Sequence, residues 1–166
     1  MRERPTGLKK RVREPTDETR ELFARRHMDR ATGEDLIAWA ALMLEAGSGA
    51  RNVGILAGLT ASEAAEAEEY FARSLRELGW PEPERNESLL WYAHDAAAKV
   101  LREELTPREG CGRVYEAALA LKFPRELTRW QCLALDHDPE TFDDLEGEQF
   151  DAAVRREAAR LIKQRP

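Results

Sequence analysis

Three times along this chain a threonine is followed three residues later by an acid, just ahead of an apolar run at helical spacing. The pairs are Thr32 with Asp35, Thr60 with Glu63, and Thr106 with Glu109. In such a box the hydroxyl accepts the amide of the third helical residue, while the acid reaches back to the amide of the threonine. Pro107 adds a first-turn proline to the third box, and Gly47 and Gly79 stand where a left-handed stop is expected. A chain punctuated this way folds as helices, and no stretch alternates with the two-residue period of a half-buried strand. The expected class is all-α: an irregular multi-helix bundle or short stacked helical hairpins, with about six to eight helices.

The apolar periodicities place the elements. A first helix is expected over residues 17–28, with Thr16 or Asp17 as cap and Leu22, Phe23 and Met28 inward. The second, opened by Thr32, carries Leu36, Trp39, Ala40, Met43 and Leu44, with Ile37 and Ala41 widening the stripe. That breadth predicts burial on more than one side. Residues 47–59 hold four glycines; a short helix over 49–57, capped by Ser48 and ended by Gly58, is expected, with a strand over 53–56 as the alternative. A helix over 60–79 turns Ala64, Ala67, Phe71, Leu75 and Leu78 inward. The Trp80–Asn86 segment, with two prolines, is a semi-rigid connector or corner. Beyond it, a helix over 87–104 uses Leu90, Tyr92, Ala97, Leu101 and Leu105, with Trp91 and Val100 at its edges. The helix from Pro107 uses Cys111, Val114, Tyr115, Ala118 and Leu121; a short one after Pro124 uses Leu127, Trp130 and either Leu133 or Ala134; the last, over 148–163, uses Phe150, Val154, Ala158, Leu161 and Ile162. The two units opened by Thr60 and Thr106 do not match beyond their caps, so capping chemistry rather than a repeat explains their likeness.

Charge is distributed unevenly. The net charge is -6 over 166 residues, but residues 1–13 hold six Lys/Arg and one acid, leaving the rest at net -11. Residues 1–15 read as a flexible basic leader and 16–166 as a single helical domain. An acidic body repels nucleic acid, so only residues 1–13 are suited to phosphate contact. No apolar h-region follows the basic residues, and the longest apolar runs fall far short of the roughly 20 residues that cross a membrane. Cys111 and Cys132 both lie in apolar helical patterns and read as small buried thiols, which, with no membrane or secretory signal, points to the cytoplasm.

No residue pattern calls for a catalytic centre, cofactor or metal. His27, His94 and His137 are scattered, no HExxH or paired-cysteine spacing occurs, and the glycines of 47–58 lack the lysine and hydroxyl of a phosphate loop. Residues 136–151 hold eight acids, but an EF-hand starting at Asp136 has Thr141 and Gly147 where glycine and glutamate are needed. The segment reads as a charged loop ahead of the last helix, with an irregular cation site as the alternative. Trp80, Trp91 and Tyr92 are the candidate protein-binding residues: ringed by Glu82, Glu84 and Glu87, they would suit a partner with a basic surface. The expected function is therefore a non-enzymatic protein-binding or accessory regulatory role, and a homo-oligomer is compatible with it. The alternatives are a hydrolase-type enzyme whose carboxylates and histidine meet on folding, and weak nucleic-acid binding through residues 1–13.

Overall fold

The computed structural model describes residues 14–135 and 147–164; the basic segment 1–13 and the acidic segment 136–146 lie outside the described residues. The described chain is all-α, with eight α-helices and two short 3-10 helices and no strand among the described residues. It divides into two compact units, Met1–Pro83 and Glu84–Pro166, each taken by itself below.

In the first unit, α1 (Asp17–His27), α2 (Gly33–Glu45), α3 (Arg51–Ala57) and α4 (Ala67–Leu78) surround one core, with a 3-10 helix (Ala61–Glu66) leading into α4. The Thr32–Asp35 and Thr60–Glu63 boxes both form. Asp35 accepts the Thr32 amide at 2.7 Å and also receives Arg25 from α1 at 3.0 Å. The Thr32 amide, then burial and the Arg25 charge, act on this carboxyl, and the hydrogen bonds prevail, holding it below its ordinary range. Leu36, Trp39, Ala40 and Met43 of α2 meet Leu22 and Phe23 of α1, Val53 and Leu56 of α3, and Phe71 and Leu75 of α4. The Trp39 and Phe71 rings meet edge-on with centroids 4.8 Å apart. Trp39 Nε1 donates to the buried Thr19 hydroxyl at 2.9 Å, which satisfies the indole and ties the first turn of α1 to the middle of α2. Gly33 is required where it stands: a Cβ there would sit 2.3 Å from the Ala64 carbonyl oxygen of the 3-10 helix.

Residues 51–57 are helical, so the strand alternative is overturned. Ser48 is not the cap of this helix. Its hydroxyl accepts only the Ala50 amide at 3.4 Å, whereas the free amides of Arg51 and Asn52 donate to Glu77 of α4 at 2.6 and 2.9 Å. A carboxylate far along the chain thus does what the local serine was expected to do. The run after Thr60 is also not one helix: its first six residues wind as 3-10 before α4 begins, and Gly79 closes α4 in the left-handed region at φ 73.

In the second unit, α5 (Arg85–Leu101) packs against α6 (Pro107–Ala120) and α8 (Gly147–Lys163), and α7 (Thr128–Leu135) follows a 3-10 turn (Arg125–Leu127). The Thr106–Glu109 box forms around Pro107. Along α5 the expected Tyr92 and Ala97 are buried, but the inward face is wider than expected: Leu89, Ala93, Ala96 and Val100 are also inside, whereas Leu90 is half-buried and Leu101 is 40% exposed. At the C-terminal end of α5, α6 comes close to Val100 at Gly110, where a Cβ would lie 2.0 Å from Val100 Cγ2, so the side chain packed there is Val100 rather than Leu101. The 3-10 turn and α7 bury Leu127, Trp130 and Leu133, and α8 buries Phe150, Val154, Ala158 and Leu161, as their periodicities predict. Cys111 is buried, and burial pushes its thiol up to about 11; Cys132 is exposed, contrary to expectation, because α7 turns Trp130 and Leu133 inward instead.

Candidate functional site

The three aromatic residues expected to bind a partner are not presented alike. Trp80 is 4% exposed within the core of the first unit, and Tyr92, in the second, is 5% exposed. Trp91 is half-buried on α5. The rings of Trp80 and Tyr92 thus spend their apolar area on packing and offer little of it to a partner.

The charged clusters of the described residues are built as supports. Arg26 lies 4.9 Å from the Phe71 ring centroid and pairs with Glu68 at 2.6 Å and with Glu82. Burial works against its charge, but the two carboxylates outweigh that and hold the guanidinium above its ordinary value. Nearby, His27 Nε2 lies 3.1 Å from the Pro83 carbonyl oxygen, so α1 holds the connector at two points. In the second unit Glu157, 8% exposed, is engaged by Arg160 at 2.7 Å and Arg129 at 3.4 Å, and Asp95 pairs with Lys99 at 2.7 Å. His94 is half-buried one residue before Asp95 on α5. Among the described residues no group of three or more His, Cys, Asp or Glu side chains converges as a metal site would require. His137 and residues 136–146 of the acidic segment, with its cation reading, lie outside the described residues.

Among the described residues, exposed large apolar side chains stand singly at Leu101, Leu119 and Leu135, whereas two, Leu42 and Leu44, share one helix, α2. From Leu36 to Leu44 this helix carries nine residues without a charge or a hydrogen-bonding side chain except the Trp39 indole. Its inner side is filled by Leu36, Trp39, Ala40 and Met43. Its outer side leaves Ala38 and Ala41 exposed, with Leu42 51% and Leu44 41% exposed. Glu34 and Glu45 stand at the two ends of this panel, both exposed, and neither has an ion pair among the described residues. They are eleven residues apart, about three helical turns, so they share one face at a separation of about 16 Å. The α2 sequence contains no basic residue at all. The breadth of this apolar stripe was expected to mean burial on several sides; it is instead a core face backed by a solvent face. The signal that marks it in the sequence is the uncharged run itself, since a helix buried on one side ordinarily carries polar residues on the other.

No family model, curated protein or solved structure matches the chain.

Among the described residues no helix is long and apolar enough to cross a membrane.

Proposed function

We propose that this chain is a protein-binding or accessory regulatory module that docks a basic partner on the solvent face of α2. The observation that supports this most directly is the exposed set Ala38, Ala41, Leu42 and Leu44 on a helix with no charge between Asp35 and Glu45. Water-exposed apolar side chains gathered on one element gain about 25 cal/mol for each Å² that a partner covers. Small alanines at the centre let a partner backbone come close, and the leucines supply area at the sides. Acids at both ends favour a basic partner over an acidic one. In keeping with the charge pattern, in which the body outside residues 1–13 is acidic and repels nucleic acid, the partner is a protein.

A photoreactive residue at position 42, compared with one at Glu66 on the exposed 3-10 helix, tests this reading in a native lysate. A discrete adduct is expected from position 42 and none from position 66, with the adduct lost when Ala41→Arg is added. Equal labelling from both positions, or labelling insensitive to Ala41→Arg, would remove α2 as the docking face.

A further inference from the structure

The charges at the ends of α2 carry the reading of its face one step further and rest on that reading. Glu34 lies in the first helical turn, where a carboxylate is favoured by the helix dipole. Glu45 is the last residue of α2, where the dipole disfavours an acid and favours a base. No basic residue in that turn relieves it, and Glu45 has no ion pair among the described residues. Glu45 thus weakens the helix that bears it without a compensating contact within the described residues. Asp35 differs: it closes the capping box and is met by Arg25. Two free carboxylates, one of them costly to its own helix, therefore bracket the apolar panel at about 16 Å.

We propose that the solvent face of α2 seats an amphipathic helix of a partner protein that carries a Lys or Arg at each end of its apolar stripe, about eleven residues apart. Such a helix lies along α2, covers Leu42 and Leu44 with its apolar face, and brings one cation to Glu34 and the other to Glu45. A second copy of this chain fits poorly. Pairing α2 with itself antiparallel sets Glu34 against Glu45 of the other copy at both ends, and pairing it parallel sets each acid against its equal; like charges repel in either case.

The test uses the full chain and fluorescein-labelled synthetic helical peptides, read by fluorescence anisotropy at low salt. One peptide has a leucine and alanine stripe with lysines eleven residues apart; the second has the same composition with both lysines at one end; the third has glutamates in place of the lysines. The first is expected to bind about five-fold more tightly than the second, and the third weakest of all. Glu45→Lys is expected to weaken the first peptide about five-fold while raising the melting temperature by about 1–3 °C, because it reverses the unfavourable dipole term. A gain in stability beside a loss of binding separates a docking role from a structural one, and it leaves no room for misfolding as the cause. The double variant Glu34→Lys with Glu45→Lys is expected to prefer the glutamate peptide. The proposal is overturned if the two lysine peptides bind equally, if none binds, or if Glu45→Lys leaves affinity unchanged. It is also overturned if the first peptide binds only after deletion of residues 1–13, which would make that basic segment the occupant, or if α2 substitutions dissociate a dimer of the chain. A discrete adduct from position 42 alongside any of these results would leave α2 a docking face for a partner of other chemistry.

Discussion

Glu77 is exposed on α4, yet it holds the start of another helix. Its carboxylate accepts the amides of Arg51 and Asn52 and the Asn52 side-chain amide, the last at 2.8 Å. The Asn52 amide, followed by that of Arg51, is the main reason this carboxyl lies below its ordinary value of 4.5. A carboxyl whose folded value is depressed contributes stability that is full above the unfolded value and is lost as pH falls through the lower folded value. Glu77→Gln is therefore expected to lower stability by about 0.5–1 kcal/mol at pH 7, the small end of the capping range because the site is open to solvent. The gap between wild type and variant should narrow as the pH drops below 4.5, because Glu77 then takes up a proton in the unfolded chain, and it should close once the pH falls below the lower folded value and the folded carboxyl is neutral too. Urea denaturation at a series of pH values between 7 and about 2.5 checks this. A gap that stayed constant across the series would mean that the charge of Glu77 contributes nothing to the cap.

At the scale of elements, what could be read from sequence followed how local each cause is. The boxes at Thr32, Thr60 and Thr106 formed because both partners lie within one turn. The cap of α3 was not legible, since it comes from Glu77 and only tertiary contact brings it there. Along α5, Tyr92 and Ala97 are buried as expected, but the C-terminal end differs: Val100 and Leu101 are equally apolar, and it is Val100 that lies against Gly110 of α6. The candidate site was legible as a run of nine uncharged residues, but which of its sides faces water depends on the elements around α2. Gly110 offers a direct check. Alanine is the better helix former by about 1 kcal/mol, so propensity alone predicts that Gly110→Ala stabilises α6. The structure predicts the opposite, because the new methyl would meet a fully buried, β-branched Val100 that has little freedom to rotate away. Overpacking of this kind typically costs about 1–3 kcal/mol. Adding Val100→Ala should recover part of the loss, giving a positive coupling in a double-mutant cycle measured by urea denaturation. Independent, additive effects of the two substitutions would mean that α5 and α6 do not meet at this point.

At the scale of the whole chain, a single domain from residue 16 onward is the expectation from sequence, and the structure sets off two compact units within the chain, meeting in sequence at Pro83. The place of the division follows from who holds the connector. Trp80 belongs to the core of the first unit, and Arg26 and His27 of α1 engage Glu82 and Pro83. A boundary drawn at the helix stop, Gly79, would cut that anchor away, although helix punctuation alone makes it the natural place to cut. A fragment ending at residue 83 is expected to melt cooperatively by circular dichroism, because its core draws on residues from Leu22 to Trp80 alone. A fragment of this size carries a stability of only about 4–12 kcal/mol. One ending at residue 79 loses a buried indole, and removing a Trp side chain from a core costs about 3–5 kcal/mol. The shorter fragment should therefore melt at a much lower temperature or show no cooperative transition. Restoring only Trp80, in a fragment ending at that residue, should recover most of the difference, and extension to Pro83 should add the smaller share due to the Arg26–Glu82 pair and the His27 contact. Equal melting of the fragments ending at 79 and 83 would show that the connector lends the first unit no stability and that the division belongs at Gly79.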